Sequence, residues 1–588
     1  MVLLLSLIWI ISFNGIFVCL FRRRFEETLT LSLMCGALVL YVFSFFSALR
    51  LGFYVLMAMG LLFWVYLLVK RKNVKKILGL LFTPGLCAFF FMALCVFVIY
   101  HRKGFENADE FMHWGPMVLS SLEHNGFYLS KDILLVNNDY PPFMTLIKMI
   151  WIGFNGFHYS EPLLFTAQLT FYFSCPLPLF SSYRKEDWKK IAALTAAVIL
   201  IGFWMPSTYT AQEWAFLYNS IYLDWVLPAM AVYTYLIFRR EGINSFSTVA
   251  VSISLACVLL SKQIGLCYYL IIGFMIIVKG LQEKDRKKMI PVGIMAAVPL
   301  AVYLTWMVAV RFAGASGVYD VGKISLGELW RNLRTYGTYE HTLAKDFLSA
   351  IFTRNLSSYP FTLSYMGYSA LMLAGILVMN RKKDILLAFS LLCGTMGYAL
   401  VMAVLYMTLF EEGGRLPSFD RYMLSYLYFE VLILFALIVE KVRELKKPWA
   451  YALAALLLLV SINYSSLPIV TPAYGSSYTR VLVVDNTDSF YPSREDVDGM
   501  LFGFRKSHAN EEDFGLNGFL GEVKESDLLY IVNYDPPFYD IWKQISPDLD
   551  PYTGVVIAIE EKDGQTVFMP MWSHHFNHII RYYLLEKN

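Results

Sequence analysis

The sequence predicts an all-α polytopic membrane protein with a small α/β domain at its C-terminal end. Of 588 residues, 57% are hydrophobic and 16% charged, with a mean hydropathy of +0.52, where soluble domains carry roughly 45–50% apolar residues. The apolar residues also fall in long runs, many near the roughly 20 residues a helix needs to cross a bilayer. Beyond about residue 467 those runs stop and short strand-like ones replace them.

In chain order the expected spans are 2–21, 28–49, 51–69, 77–100, 160–181, 191–206, 222–238, 246–261, 263–279, 290–311, 363–379, 384–409, 421–440 and 449–466. Basic clusters follow alternate spans: Arg22 to Arg24, Lys70 to Lys76, Arg184 to Lys190, Arg239-Arg240, Lys279 to Lys288, Arg381 to Lys383 and Lys441 to Lys447. Positive charge marks cytoplasmic loops, so fourteen spans with an external N-terminus put all seven clusters in the cytoplasm. The segments expected outside are then 101–159, 207–221, the turn 261–263, 312–362, 410–420 and the tail from about 467.

In the tail, Arg480 to Val484, Leu528 to Val532 and Gly554 to Ala558 are short apolar runs of strand type. Helix-compatible stretches such as Ser493 to Phe504 lie between them, which predicts a small extracytoplasmic α/β domain over 467–588. The transmembrane domain is expected over 1–466, with its outer catalytic loop at 101–159.

Several function classes are disfavoured. With 49 basic and 46 acidic residues the formal charge is +3, too balanced for a nucleic-acid binder. All eight cysteines lie in apolar runs without metal-type spacing, so they read as packing residues. No Walker or Rossmann phosphate loop occurs, which argues against an energy-coupled pump. No cofactor is expected.

The first large outer segment carries Glu106-Asn107-Ala108-Asp109-Glu110-Phe111-Met112-His113-Trp114-Gly115, then an apolar surface helix, then Asp139-Tyr140-Pro141-Pro142-Phe143. In this order the sequence resembles the GT-C class of polyprenyl-phosphate-sugar-dependent membrane glycosyltransferases. That class includes the protein O-mannosyltransferases and the aminoarabinose transferases that modify lipid A. The Asp-Glu-Phe-x-His-Trp-Gly variant looks like that of uncharacterised Gram-positive members. The resemblance implies that Asp109 is the general base, with Glu110 as its neighbour or a secondary acid. It also matches Tyr140 to the family's Tyr/His-Pro-Pro turn, and Lys262-Gln263 to the basic position near the carrier phosphate.

Charged residues at membrane edges supply further candidates. Lys262 sits between two apolar runs at the outer end of a tight hairpin, where a cation contradicts the positive-inside trend. It either meets a lipid-linked phosphate or snorkels to the interface. Arg421 begins the thirteenth span and either grips phosphate bidentately or pairs with Asp420, Glu411 or Glu412. Asp224 at the edge of the seventh span and Glu213 in the loop before it bind sugar hydroxyls, orient Lys262, or join Asp109 and Glu110 around a divalent cation. His113, three residues beyond Glu110, shares its face on a helix and either tunes the acid or simply packs.

These features make the expected function transfer of a sugar from a polyprenyl-phosphate carrier to a cell-envelope glycan, lipid or protein on the extracytoplasmic face of the cell membrane. The expected partners are the donor, the acceptor and the bilayer, without nucleic acid. A flippase or transporter of a lipid-linked saccharide, or a glycan polymerase or ligase, is the alternative reading.

Overall fold

The computed structural model describes residues 2–445 except 70–73, 106–108, 130–137, 204–206, 211–212, 216, 284, 316–324, 357–362, 381–384 and 410–415. In the tail it describes 480–485, 505–509, 516–533, 536–547, 549, 555–562 and 565–571. The chain divides into two compact units. One comprises Met1–His101, Met117–Ser130 and Asn137–Ile469, and the other Arg102–Pro116, Lys131–Val136 and Val470–Asn588. The acidic loop segment therefore groups with the tail, while the residues around the Tyr-Pro-Pro turn group with the helical bundle.

The first unit is a helical bundle. Among the described residues, seven helices are long and apolar enough to cross a membrane: α1 (Val2–Phe21), α2 (Phe25–Ser44), α3 (Leu49–Val69), α12 (Gly265–Gln282), α13 (Arg286–Ala313), α17 (Ile385–Thr408) and α18 (Phe419–Leu445). An eighth span arises if α4 (Val74–Leu81) and α5 (Pro84–Tyr100), bent by 49°, are taken together. Thr83 and Pro84 make that break: Thr83 caps α5 by accepting from the Leu86 N–H at 3.3 Å, and proline occupies the first helical turn. Leu61, Leu62 and Leu68 on α3 and Leu304 on α13 are exposed, as apolar side chains facing lipid would be. The chain is a multi-pass membrane protein.

The count differs from the fourteen expected. Thirteen expected spans coincide with helices; the last, 449–466, lies outside the described residues. Yet α8 (Glu161–Ser174), α9 (Trp188–Ile201), α10 (Val226–Glu241), α11 (Ser245–Leu259) and α16 (Tyr365–Asn380) have only 14 to 16 residues. At about 1.5 Å per residue they reach roughly 21–24 Å, short of a ~30 Å hydrocarbon core. Two further helices, α6 (Gly115–Glu123) and α7 (Phe143–Phe154), follow the acidic motif and the Tyr-Pro-Pro turn. The segment between α13 and α16 holds α14 (Leu326–Arg334) and α15 (Tyr339–Thr353).

The described part of the tail is a five-stranded mixed sheet in the order β4-β3-β5-β6-β7. Its strands are β3 (Arg480–Asp485), β4 (Arg505–Ala509), β5 (Leu528–Asn533), β6 (Val555–Lys562) and β7 (Gln565–Met571). β3 runs parallel to β4 and β5, while β6 and β7 pair antiparallel beyond β5. The three expected strands are β3, β5 and β6; the expected helix 493–504 lies outside the described residues. Helices Leu516–Lys524 and Pro536–Ile545 pack Phe519, Phe538 and Trp542 onto Leu482, Leu529 and Ile557 of the sheet.

Candidate functional site

The helix termini set the frame of the bundle. At one end the arginine clusters converge: Arg240 pairs with Glu27 at 2.7 Å, Arg239 with Glu440 at 3.3 Å, and Arg23 with Glu241. Arg24 reaches the carbonyls of Ser181 and Tyr183. The clusters Arg22 to Arg24 and Arg239-Arg240 thus share one end, with Tyr183 and Glu440, which adjoin two more clusters, beside them. The other ends of α10 and α18 begin beside Asp224 and Arg421. About twenty residues of α18, from Arg421 to Glu440, separate the two ends by roughly 30 Å, the thickness of a hydrocarbon core.

At that second end, four segments distant in sequence meet. Lys262, in the turn between α11 and α12, places Nζ 3.1 Å from Asp224 Oδ1, with side chains 13% and 5% exposed. The tightness of this turn depends on Gly265, where a Cβ would fall 2.3 Å from the Val258 carbonyl oxygen. Asp224 is held through its own backbone: its carbonyl accepts from Ser425 Oγ of α18 at 2.8 Å. Gln168 of α8 fixes the preceding segment by donating to the Tyr222 carbonyl at 3.1 Å.

Arg421, buried in the first turn of α18, lies 4.8 Å from the Tyr222 ring centroid and 5.0 Å from that of Tyr422. Its guanidinium also donates to the Tyr422 hydroxyl at 3.1 Å. The Lys262 ammonium stands 5.6 Å over the Tyr422 ring, so Tyr422 contacts both cations. Such desolvated cation–ring contacts contribute about 2 kcal/mol. The expected Asp420–Arg421 pair gives way to Arg354–Asp420 at 3.5 Å. Neighbouring residues on a helix point to different faces. Glu411 and Glu412 lie outside the described residues.

The Tyr-Pro-Pro turn docks onto the same hairpin. Phe143 N–H donates to the Leu260 carbonyl at 2.8 Å, and Gln263 Nε2 donates to Asp139 Oδ2 at 3.2 Å. Tyr140 is half-buried, and its carbonyl accepts from the buried Tyr128 hydroxyl at 2.6 Å. Burial, the largest effect, pushes the Tyr128 phenol well above its usual range. Trp306 of α13 donates to the Asp139 carbonyl at 3.1 Å and packs edge-on against Phe127. Phe127 in turn packs against Tyr41 of α2, tilted, and edge-on against Phe45 just beyond that helix. Tyr41 and Phe45 line an apolar groove of about 730 Å³ between α2 and α13. A continuous series of contacts thus runs from a lipid-facing groove through Phe127, Trp306 and Asp139 to Gln263, the residue beside Lys262.

Sequence reasoning missed Asp139, Tyr222 and Tyr422 as members of this cluster. Asp139 adjoins the Tyr-Pro-Pro motif, a signal that was available. The tyrosines were hidden by the chain's high aromatic content. Glu213 lies on β2 (Glu213–Ala215), which pairs antiparallel with β1 (Ser207–Thr210) where an irregular loop was expected; its side chain is not among those described.

In the second unit, Asp109 precedes a five-residue π-helical turn, Glu110–Trp114. π-turns are rare and frequent at functional sites. The widened turn brings His113 Nε2 to 3.9 Å from Asp109 Oδ1, an i,i+4 relation in place of the expected sharing of a face with Glu110. Glu110 is wholly buried, whereas the Asp109 side chain keeps 29% exposure. Of the two carboxylates Asp109 is the accessible one. Gly115 permits this geometry, because a Cβ there would meet the Phe105 ring at 2.4 Å and the Glu110 carbonyl oxygen at 2.8 Å. Among the described residues no group of three or more His, Cys, Asp or Glu is placed to hold a metal ion.

No protein-family model matches the chain, and comparison with curated proteins gives no match. Among solved structures the chain is similar to ArnT from Cupriavidus metallidurans in the apo state. The identity is 12%, covering 82% of this chain and 97% of that one, with a TM-score of 0.33. A TM-score that low establishes neither a shared fold nor a shared activity.

Proposed function

We propose that this protein is a membrane glycosyltransferase that moves a sugar from a polyprenyl-phosphate carrier to a cell-envelope acceptor on the extracytoplasmic face. The observation that carries the reading is the buried Lys262–Asp224 pair with Arg421 beside it, docked against the Tyr140-Pro141-Pro142 turn. This cluster sits at the bundle end away from the converged arginines, where positive-inside orientation leaves cations unexplained.

In the proposed reaction an acceptor hydroxyl attacks the anomeric carbon, and the bond from that carbon to the phosphate oxygen breaks. Negative charge accumulates on the departing polyprenyl phosphate. Lys262 and Arg421 neutralise it, a contribution that preorganised donors make most effectively in a dry site. Arg421 suits the task because its planar fork matches phosphate oxygens. Asp224 orients Lys262, and Asp109 takes the acceptor proton, a step that typically supplies about 10²–10⁴-fold in rate. The apolar groove on α2 and α13 supports a lipid-linked donor, since it offers an isoprenoid chain a bed that ends close to the charged cluster.

The test is Asp109→Asn, assayed in lipid nanodiscs for transfer from a polyprenyl-phosphate sugar to membrane extract. A fall of about 10²–10⁴-fold is expected; undiminished transfer would sink the assignment of the base.

A further inference from the structure

The end of the bundle opposite the proposed donor site holds a second charged cavity that sugar transfer does not use. It has a volume of about 240 Å³ and lies between the chain around Ser182 and the C-terminal turns of α10 and α18. That is far more than the ~10–15 Å³ a single water needs. Arg239, Arg240 and Arg443 line it against a single lining carboxylate, Glu440. Arg443, which is exposed, donates to the neutral hydroxyl of Ser182. Arg239 pairs with Glu440 and Arg240 with Glu27, so the excess positive charge at the cavity is the exposed Arg443 guanidinium.

Its inner wall has a different character. Pro178, Leu179, Leu236 and Val439 line the cavity beside the arginines. A charged mouth with an apolar wall suits an amphipathic anion better than a freely soluble one. Arginine forks fit phosphate oxygens bidentately, and basic pockets between helices at the cytoplasmic interface attract anionic lipid head groups.

We infer that this cavity binds the phosphate head group of an anionic phospholipid in the leaflet opposite the proposed transfer site. Arg239, Arg240 and Arg443 hold the phosphate, and the Leu179–Leu236 wall receives the start of an acyl chain. The inference stands on this cavity alone and does not depend on the transferase reading.

The experiment uses the full chain purified in detergent. Native mass spectrometry measures retention of phosphatidylglycerol and of phosphatidylcholine, and added glycerol phosphate and inorganic phosphate act as soluble competitors. The wild type is expected to retain phosphatidylglycerol at least tenfold over phosphatidylcholine, with no displacement by millimolar soluble phosphates. Arg443→Gln, at an exposed position, should lose most of that preference. Arg443→Glu, at the same exposed position, reverses the unneutralised charge and should abolish the preference while unfolding near the wild-type temperature. Equal retention of the two lipids by the wild type would overturn the inference, as would full retention by both variants. Displacement by glycerol phosphate or inorganic phosphate alone would assign the cavity to a soluble anion and overturn the lipid source.

Discussion

Lys262 and Asp224 form a 3.1 Å ion pair between the α11–α12 turn and the start of α10, with both side chains largely withdrawn from water. Removing one partner of such a pair leaves the other charge buried alone, at about 3–5 kcal/mol. Lys262→Met should therefore unfold at markedly lower temperature in detergent. Lys262→Met combined with Asp224→Asn should recover most of the loss, because no uncompensated charge remains. A scanning thermal-unfolding series of the two single variants and the double variant checks the pairing.

Arg421→Lys keeps the charge and gives up the planar contact with Tyr222 and Tyr422. A lost desolvated cation–ring contact of about 2 kcal/mol corresponds to a ~30-fold fall in transfer at 1.4 kcal/mol per decade. Steady-state transfer at fixed donor concentration reads it directly. A lysine variant with wild-type turnover would remove Arg421 from the phosphate site.

His113→Gln should lower transfer by less than about tenfold, far less than Asp109→Asn. At 3.9 Å the His113–Asp109 contact is beyond hydrogen-bond reach, so the expected influence of the imidazole on the carboxylate is electrostatic. Side-by-side turnover of the two variants distinguishes a modulating histidine from one that carries the proton itself.

Glu430 is fully buried on α18 and accepts hydrogen bonds from Thr395 Oγ1 at 2.7 Å and Ser369 Oγ at 3.0 Å. Glutamine retains an acceptor oxygen for both hydroxyls, so Glu430→Gln should stay within about 1 kcal/mol of the wild type. Glu430→Leu removes the acceptor and should destabilise by about 1–3 kcal/mol. Thermal unfolding of both variants gives the comparison.

Much of the bundle was legible because apolar runs announce helices directly. What they do not announce is whether a run crosses the membrane. The α8 and α10 runs look like spans in hydropathy, yet their helices are too short and lie buried among neighbours. Lys262, Asp224 and Arg421 were readable as charges in the wrong place, since a cation between two apolar runs is costly without a partner. Asp224 as a residue that orients Lys262 was one of the readings, and the 3.1 Å contact matches it; the surroundings of Arg421 were not legible, because pairing is set by tertiary contact. Asp420 pairs with Arg354, 66 positions away in sequence, and Arg421 lies against Tyr222 and Tyr422. His113 was misplaced for a local reason: the π-turn adds a residue to the helical repeat and hands the histidine to Asp109. The β1–β2 hairpin carried a signal in Ser207-Thr208-Tyr209-Thr210 and Trp214, strand-type residues in a segment short enough to pass for a loop.

The most direct measurement compares sugar transfer by the wild type with transfer by the Lys262→Met/Asp224→Asn double variant, using a labelled polyprenyl-phosphate sugar in nanodiscs and counting released polyprenyl phosphate. Because the double variant leaves no buried charge unpaired, it separates a loss of chemistry from a loss of fold. The account predicts turnover by the wild type and a fall of about 10²–10³-fold in a double variant that unfolds near the wild-type temperature. Equal release from the two proteins, or none from the wild type with any polyprenyl-phosphate sugar, would contradict it.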